Sequence, residues 1–129
     1  MYIVDSSVWV ALFLDDDTQH TKAVKAMERI GNAQITMPYG VILETATVLS
    51  RKQSKELANK FVEYVRANPQ ISTSIPFVSE DMEIFRNESD RLAFVDALLK
   101  EMALRSGFVL VSFDRRLLDS LRRASRKVT

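Results

Sequence analysis

MYIVDSSVWVALFL, residues Met1 to Leu14, decides how this chain folds. A short apolar run, Tyr2-Ile3-Val4, stops at a carboxylate, Asp5. Two hydroxyl residues, Ser6 and Ser7, follow, and then a second run, Val8 to Leu14, too apolar for a solvated helix. The pattern predicts a buried strand, a sharp exit, and a helix capped by Ser6 or Ser7. Asp5 then stands at the carboxyl end of a strand, where open α/β sheets collect their ligands. Read more plainly, Asp5 only helps to cap the helix.

Similar runs recur outward from there. Thr21 to Ile30 is amphipathic, with Ala23, Met27 and Ile30 on one face and Gly31 as its stop. The acids Asp15-Asp16-Asp17 before it read as a solvated connection, and His20 as a surface or helix-start residue. Gln34 to Met37 is a strand candidate, Val41 to Lys52 a helix, and Ser54 the cap of a helix with a Leu57, Ala58, Phe61, Val62, Val65 stripe. Ile75 to Val78 reads as an edge strand because it holds Pro76. A short helix starting near Ser79 is expected to turn Met82 and Phe85 inward. Asp90 to Ser106 is helical up to Gly107, and Phe108 to Val111 is strand-like and ends in Ser112-Phe113-Asp114. Arg115 to Arg122 reads as a last helix with a solvated basic tail beyond it. Strand-like and helical runs alternate throughout, which argues a three-layer α/β/α sandwich around a mainly parallel sheet of four or five strands. The runs ending at Asp5 and Asp114 should be central neighbours.

Two helical stripes carry an anomaly. Glu44 shares a face with Val41, Thr47 and Val48, and Asp96 a face with Leu92, Leu99 and Ala103. Buried carboxylates are costly unless a cation, metal or hydrogen bonds compensate them. With Asp5 and Asp114 they can meet at one sheet edge, though a structural salt bridge would explain a lone buried acid equally well. Like charges that close do not stay ionised without a cation between them. Cysteine is absent and histidine single, so the all-oxygen set suits Mg²⁺ or Mn²⁺ over Zn²⁺.

The totals bound the rest. At 129 residues, 47% hydrophobic and 27% charged, the chain fits one domain, residues 1–129. A net charge of +1 leaves nucleic-acid affinity to local placement. The lack of cysteine suits a reducing, cytoplasmic setting. No apolar run is long enough for a bilayer, and a basic n-region is missing, so neither membrane nor signal peptide is expected. Three glycines, Gly31, Gly40 and Gly107, exclude a dinucleotide fingerprint and a P-loop. A phospho-aspartyl phosphatase normally sets a second Asp two positions after the first, where Ser7 stands.

Ile3-Val4-Asp5-Ser6-Ser7-Val8, the helix-borne Glu44, Phe94-Val95-Asp96-Ala97 and Val111-Ser112-Phe113-Asp114 resemble the acidic motifs of PIN domains. Length and order are similar to VapC-type toxins. The resemblance implies a Mg²⁺- or Mn²⁺-dependent ribonuclease, a homodimer and a cognate antitoxin. It casts Asp5, Glu44, Asp96 and Asp114 as catalytic, with Asp5, Asp96 and Asp114 on the metal. Ser6 and Ser112 would support them by hydrogen bonds, and Arg115, Arg116 and the basic tail would meet RNA phosphates. Two positions depart from the family: Arg116 stands where a further Asp is common, and little remains for a fifth strand. A housekeeping RNase, a non-catalytic RNA-binding scaffold and a small-molecule phosphatase are the rival readings. The apolar first helix, with Val8, Trp9, Leu12 and Phe13, is expected either to serve a dimer or antitoxin contact or to lie under the second helix.

Overall fold

The computed structural model describes residues 1–128; Thr129, the last residue of the expected domain, and the side chains of Lys127 and Val128 lie outside the described residues. Four strands, β1 (Tyr2–Val4), β2 (Ile35–Pro38), β3 (Ile71–Ser74) and β4 (Val109–Val111), form one parallel sheet in the order β3-β2-β1-β4. The helices are α1 (Ser6–Phe13), α2 (His20–Ile30), α3 (Tyr39–Lys52), α4 (Lys55–Ala67), α5 (Val78–Asn87), α6 (Phe94–Ser106) and α7 (Arg115–Val128). From β1 the chain moves through β2 to β3 on one side, then returns to place β4 on the other side of β1. Right-handed crossovers put helices on opposite faces when that direction reverses, giving the three layers. The reversal also makes the carboxyl ends of β1 and β4 the switch point, where such sheets open a crevice.

β1 and β4 are neighbours as expected, with Ile3 beside Leu110 and Val4 beside Val111. β4 is not central, however. It is an edge strand whose Val109 is exposed, and among the described residues no fifth strand covers it.

Four expectations need correction. The third strand is Ile71–Ser74, not Ile75 to Val78: the chain pairs the β-branched run and leaves Pro76, which has no N–H to give, beyond the ladder. Ile75 and Phe77 are 82% and 68% exposed. Met82 and Phe85 do not turn inward, since α5 buries no residue. Thr47 is exposed, so Glu44 shares its stripe with Val41 and Val48 only. Arg122 to Arg126 do not form a tail but continue α7 as helix, with Arg122 paired to Asp119 and Arg123 to Asp90, each at 3.0 Å.

The core gathers around Trp9, which is fully buried. Its ring lies 6.3 Å from that of Phe61 and 6.0 Å from that of Tyr64, and Phe13 meets the same two rings edge-on. α4 supplies the aromatic cover of α1 and α2 also packs against it, as expected, so the apolar residues of α1 are largely covered within the chain. Gly40, in the first turn of α3, allows a close approach: a Cβ there would stand 2.9 Å from a Val95 methyl of α6. That approach brings the helices of Glu44 and Asp96 together. Gly107 ends α6 in the left-handed conformation, as its position predicts.

Thr45, beside Glu44 on α3, is wholly buried, and its hydroxyl lacks a hydrogen-bond partner among the described residues. An unpaired buried hydroxyl costs stability, and valine has nearly the same shape. Thr45→Val is expected to stabilise the fold by about 1 kcal/mol, read as a higher urea midpoint at unchanged slope.

Candidate active site

Asp5 is 2% exposed and sits where β1 meets α1. It is the N-cap of α1, so the cap is not Ser6 or Ser7: Asp5 Oδ1 accepts from the Ser6 N–H at 2.7 Å. The hydroxyls of both serines also bond to the Asp5 carboxylate. The Ser6 hydroxyl makes a short hydrogen bond to Glu44 Oε1 and a longer one, 3.4 Å, to Asp5 Oδ1. The Ser7 hydroxyl donates to Asp5 Oδ2 at 2.9 Å and accepts from the Phe113 N–H at 3.0 Å. The Ser112 hydroxyl donates to the same Oδ2 at 2.8 Å and accepts from the Asp114 N–H at 3.0 Å. Asp5 is thus locked, and the end of β4 is stitched to the start of α1 through its carboxylate. The capping reading and the site reading of Asp5 both hold.

Asp114 repeats the device on α7, where its Oδ1 accepts from the Arg116 and Leu117 N–H groups at 2.9 and 3.3 Å. Asp96 lies in the first turn of α6, half-buried. Asp5, Glu44, Asp96 and Asp114 line one cavity of about 320 Å³ with Ser6, Ser7, Val10, Asp17, Gln19, Val48 and Lys52. None of the four acids forms an ion pair among the described residues, which disposes of the salt-bridge reading.

The crowding shows in Asp96. Burial, then the charges of Asp5, Asp114 and Glu44, then a hydrogen bond with Asp114, push its carboxyl up to about 7. The folded state therefore holds this proton at pH values where the unfolded chain has released it. Between about pH 4 and pH 7 the native state binds more protons, so this group's contribution to stability falls as pH rises. In metal-free buffer, Asp96→Asn is expected to exceed the wild type in stability by roughly 0.5–2 kcal/mol at pH 7.5, allowing for partial screening. The gap should close near pH 4; thermal unfolding at the two pH values checks it.

Several cavity residues escaped sequence reading, among them Ser7, Asp17, Gln19 and Lys52. Ser7 was legible only as a cap. Asp17 looked solvated, yet it turns into the cavity rim while its Oδ1 accepts from the Gln19 N–H at 2.8 Å. Lys52 closes α3 at the same cavity. Arg115 and Arg116, in contrast, are exposed and do not line it. His20 stands at the start of α2, its Nδ1 2.8 Å from the Ala11 carbonyl, and does not line the cavity.

A model of the PIN domain matches residues 2–124. The chain belongs to the PIN-domain family. The fold of this PIN domain is similar to that of VapC20 from Mycobacterium tuberculosis, a toxin that cleaves the sarcin–ricin loop: the TM-score is 0.80 at 21% identity, over 93% of this chain and 95% of that one. PAE2754 from Pyrobaculum aerophilum gives a TM-score of 0.58 at 22% identity, over 97% of this chain and 95% of that one. No curated protein sequence matches the PIN domain described here.

The cavity's donors suit a hard divalent cation. They are all oxygen, and they are crowded enough to hold Asp96 protonated to about 7. Among the described residues no three acid or histidine side chains are already closed into a metal-binding group, so the carboxylates would have to draw in around an ion.

Proposed function

We propose that this PIN domain is a Mg²⁺- or Mn²⁺-dependent endoribonuclease, the toxin of a VapBC-type pair. The observation that carries the reading is the meeting of Asp5, Glu44, Asp96 and Asp114, without a cationic partner, at the switch point of the sheet. Asp5, Asp96 and Asp114 would hold the ion, with Glu44 orienting through its Ser6 bond. An ion held there would supply charge neutralisation at a phosphate and a lowered pKa for water. The chain's own part is orientation. Ser7 and Ser112 hold the Asp5 carboxylate, and the α7 N-terminus holds Asp114, so less of the site remains to be ordered when an ion and substrate arrive.

Saturating Mg²⁺ should reverse the stability ranking of wild type and Asp96→Asn, because an ion bound by the native state alone stabilises the chain that binds it better. An equal rise in both midpoints would remove Asp96 from the ligand set.

The proposed partners are RNA, a cognate antitoxin and a second copy of the chain, in the cytoplasm. Exposed apolar residues, among them Tyr39, Leu43, Ile75, Phe77 and Val78, supply surface for the protein partners in place of α1. No helix among the described residues is long and apolar enough to cross a membrane. Assaying single-stranded RNA beside a generic phosphomonoester, with Mn²⁺ and with EDTA, tests the activity. Metal-dependent release of RNA fragments with the phosphomonoester untouched is the expected result. Hydrolysis of the phosphomonoester alone would favour the phosphatase, and neither reaction would favour the scaffold.

A further inference from the structure

Resting on the ribonuclease reading, we infer that Lys52 is a positioning residue that grips an RNA phosphate beside the one attacked. Lys52 is the last residue of α3. Glu44, Val48 and Lys52 follow at steps of four, so one face of the helix carries all three, and all three line the acid cavity. At about 1.5 Å per residue, the backbone of Lys52 stands about 12 Å beyond that of Glu44. Lys52 itself is exposed, so its ammonium is open to a ligand that enters the cavity.

The cavity makes this lysine distinctive. The other charged residues lining it, Asp5, Asp17, Glu44, Asp96 and Asp114, are all acids. Yet Lys52 forms no ion pair with them among the described residues, so its ammonium keeps its donors for a ligand. A polyanion nearing five carboxylates is repelled unless a cation meets it at the entrance. Phosphate contacts of this kind set register without reading sequence. A helix C-terminus favours any cation, but that would account for Arg51 equally, and Arg51 lines a different hollow between α3 and α4. The basic residues favoured by the sequence are placed otherwise: Arg115 and Arg116 lie outside the cavity, and Arg122 and Arg123 are paired with acids.

The test compares wild type, Lys52→Gln, Lys52→Arg and a control, Lys60→Gln on the exposed side of α4. Steady-state cleavage of a fluorescent single-stranded RNA with Mn²⁺ should show KM raised roughly tenfold in Lys52→Gln, kcat changed far less, and KM restored by arginine. Binding of the same RNA in EDTA, followed against salt, should lose about 0.7 from the slope of log K in Lys52→Gln. A wild-type KM and slope in Lys52→Gln, with wild type cleaving RNA, would overturn the role of Lys52 and leave the ribonuclease standing. If wild type fails to cleave, the ribonuclease reading falls, and an unchanged salt slope would then remove the Lys52 contact as well.

Discussion

Asp114→Asn is expected to lower RNA cleavage by roughly 10²–10³-fold, the scale seen when a preorganised electrostatic group is lost, with the fold left standing. Asp114 does two jobs that asparagine separates. Its Oδ1 caps α7 by accepting from the Arg116 and Leu117 N–H groups, and asparagine caps a helix as well as aspartate does. Its charge faces Asp96, where it helps to hold that carboxyl protonated. The charge disappears and the amide becomes the donor in the hydrogen bond with Asp96, while the cap is kept, so unfolding should stay within about 1 kcal/mol of wild type. Cleavage within threefold of wild type would remove Asp114 from the mechanism. Asp5→Asn is a less clean probe. Ser7 and Ser112 each accept from a backbone N–H and give their own proton to Asp5 Oδ2, so their direction is set. An amide there either meets two donors with a third or gives up the Ser6 N–H, and stability falls together with activity.

Trp9→Ala is expected to cost about 3–5 kcal/mol, the range for emptying a buried aromatic site, and to fall at its upper end. The indole fills the space between β1 and α4, and its Nε1–H donates to the Val4 carbonyl at 3.1 Å. Alanine leaves a cavity and also strips that carbonyl of its partner, immediately before Asp5. A domain with typical stability of about 5–15 kcal/mol would lose a large share of it. Trp9→Phe keeps most of the packing and loses the bond, so it should cost markedly less. Urea unfolding of the three proteins checks the order. A Trp9→Ala loss below 1 kcal/mol would mean that α1 is not anchored through this ring.

Much of this was legible because it lies in short, strongly patterned stretches. Tyr2-Ile3-Val4-Asp5 reads as strand and strand end on its own, and so does Phe108 to Asp114, of which Val109–Val111 is the strand. Glu44 and Asp96 stood out as acids on apolar helical rows, and the structure brings both to one cavity with Asp5 and Asp114. The third strand was misplaced because hydrophobicity pointed to Ile75 to Val78, whereas backbone pairing chose the less apolar Ile71–Ser74. The inward face given to α5 failed for a similar reason: periodicity shows that a helix has an apolar face, not what covers it. Ser7, Asp17 and Lys52 were illegible as site residues because their place depends on tertiary contacts. Ser7 finds Phe113 across 106 residues of chain, and the sequence holds no sign of that pairing.

The decisive measurement is cleavage of one single-stranded RNA by EDTA-stripped protein, before and after return of Mn²⁺, in wild type and Asp96→Asn. The four-acid metal site predicts no cleavage in EDTA, recovery with Mn²⁺ in the wild type, and none in Asp96→Asn at the same metal concentration. Equal cleavage by wild type in EDTA and in Mn²⁺, or full recovery in Asp96→Asn, would contradict it.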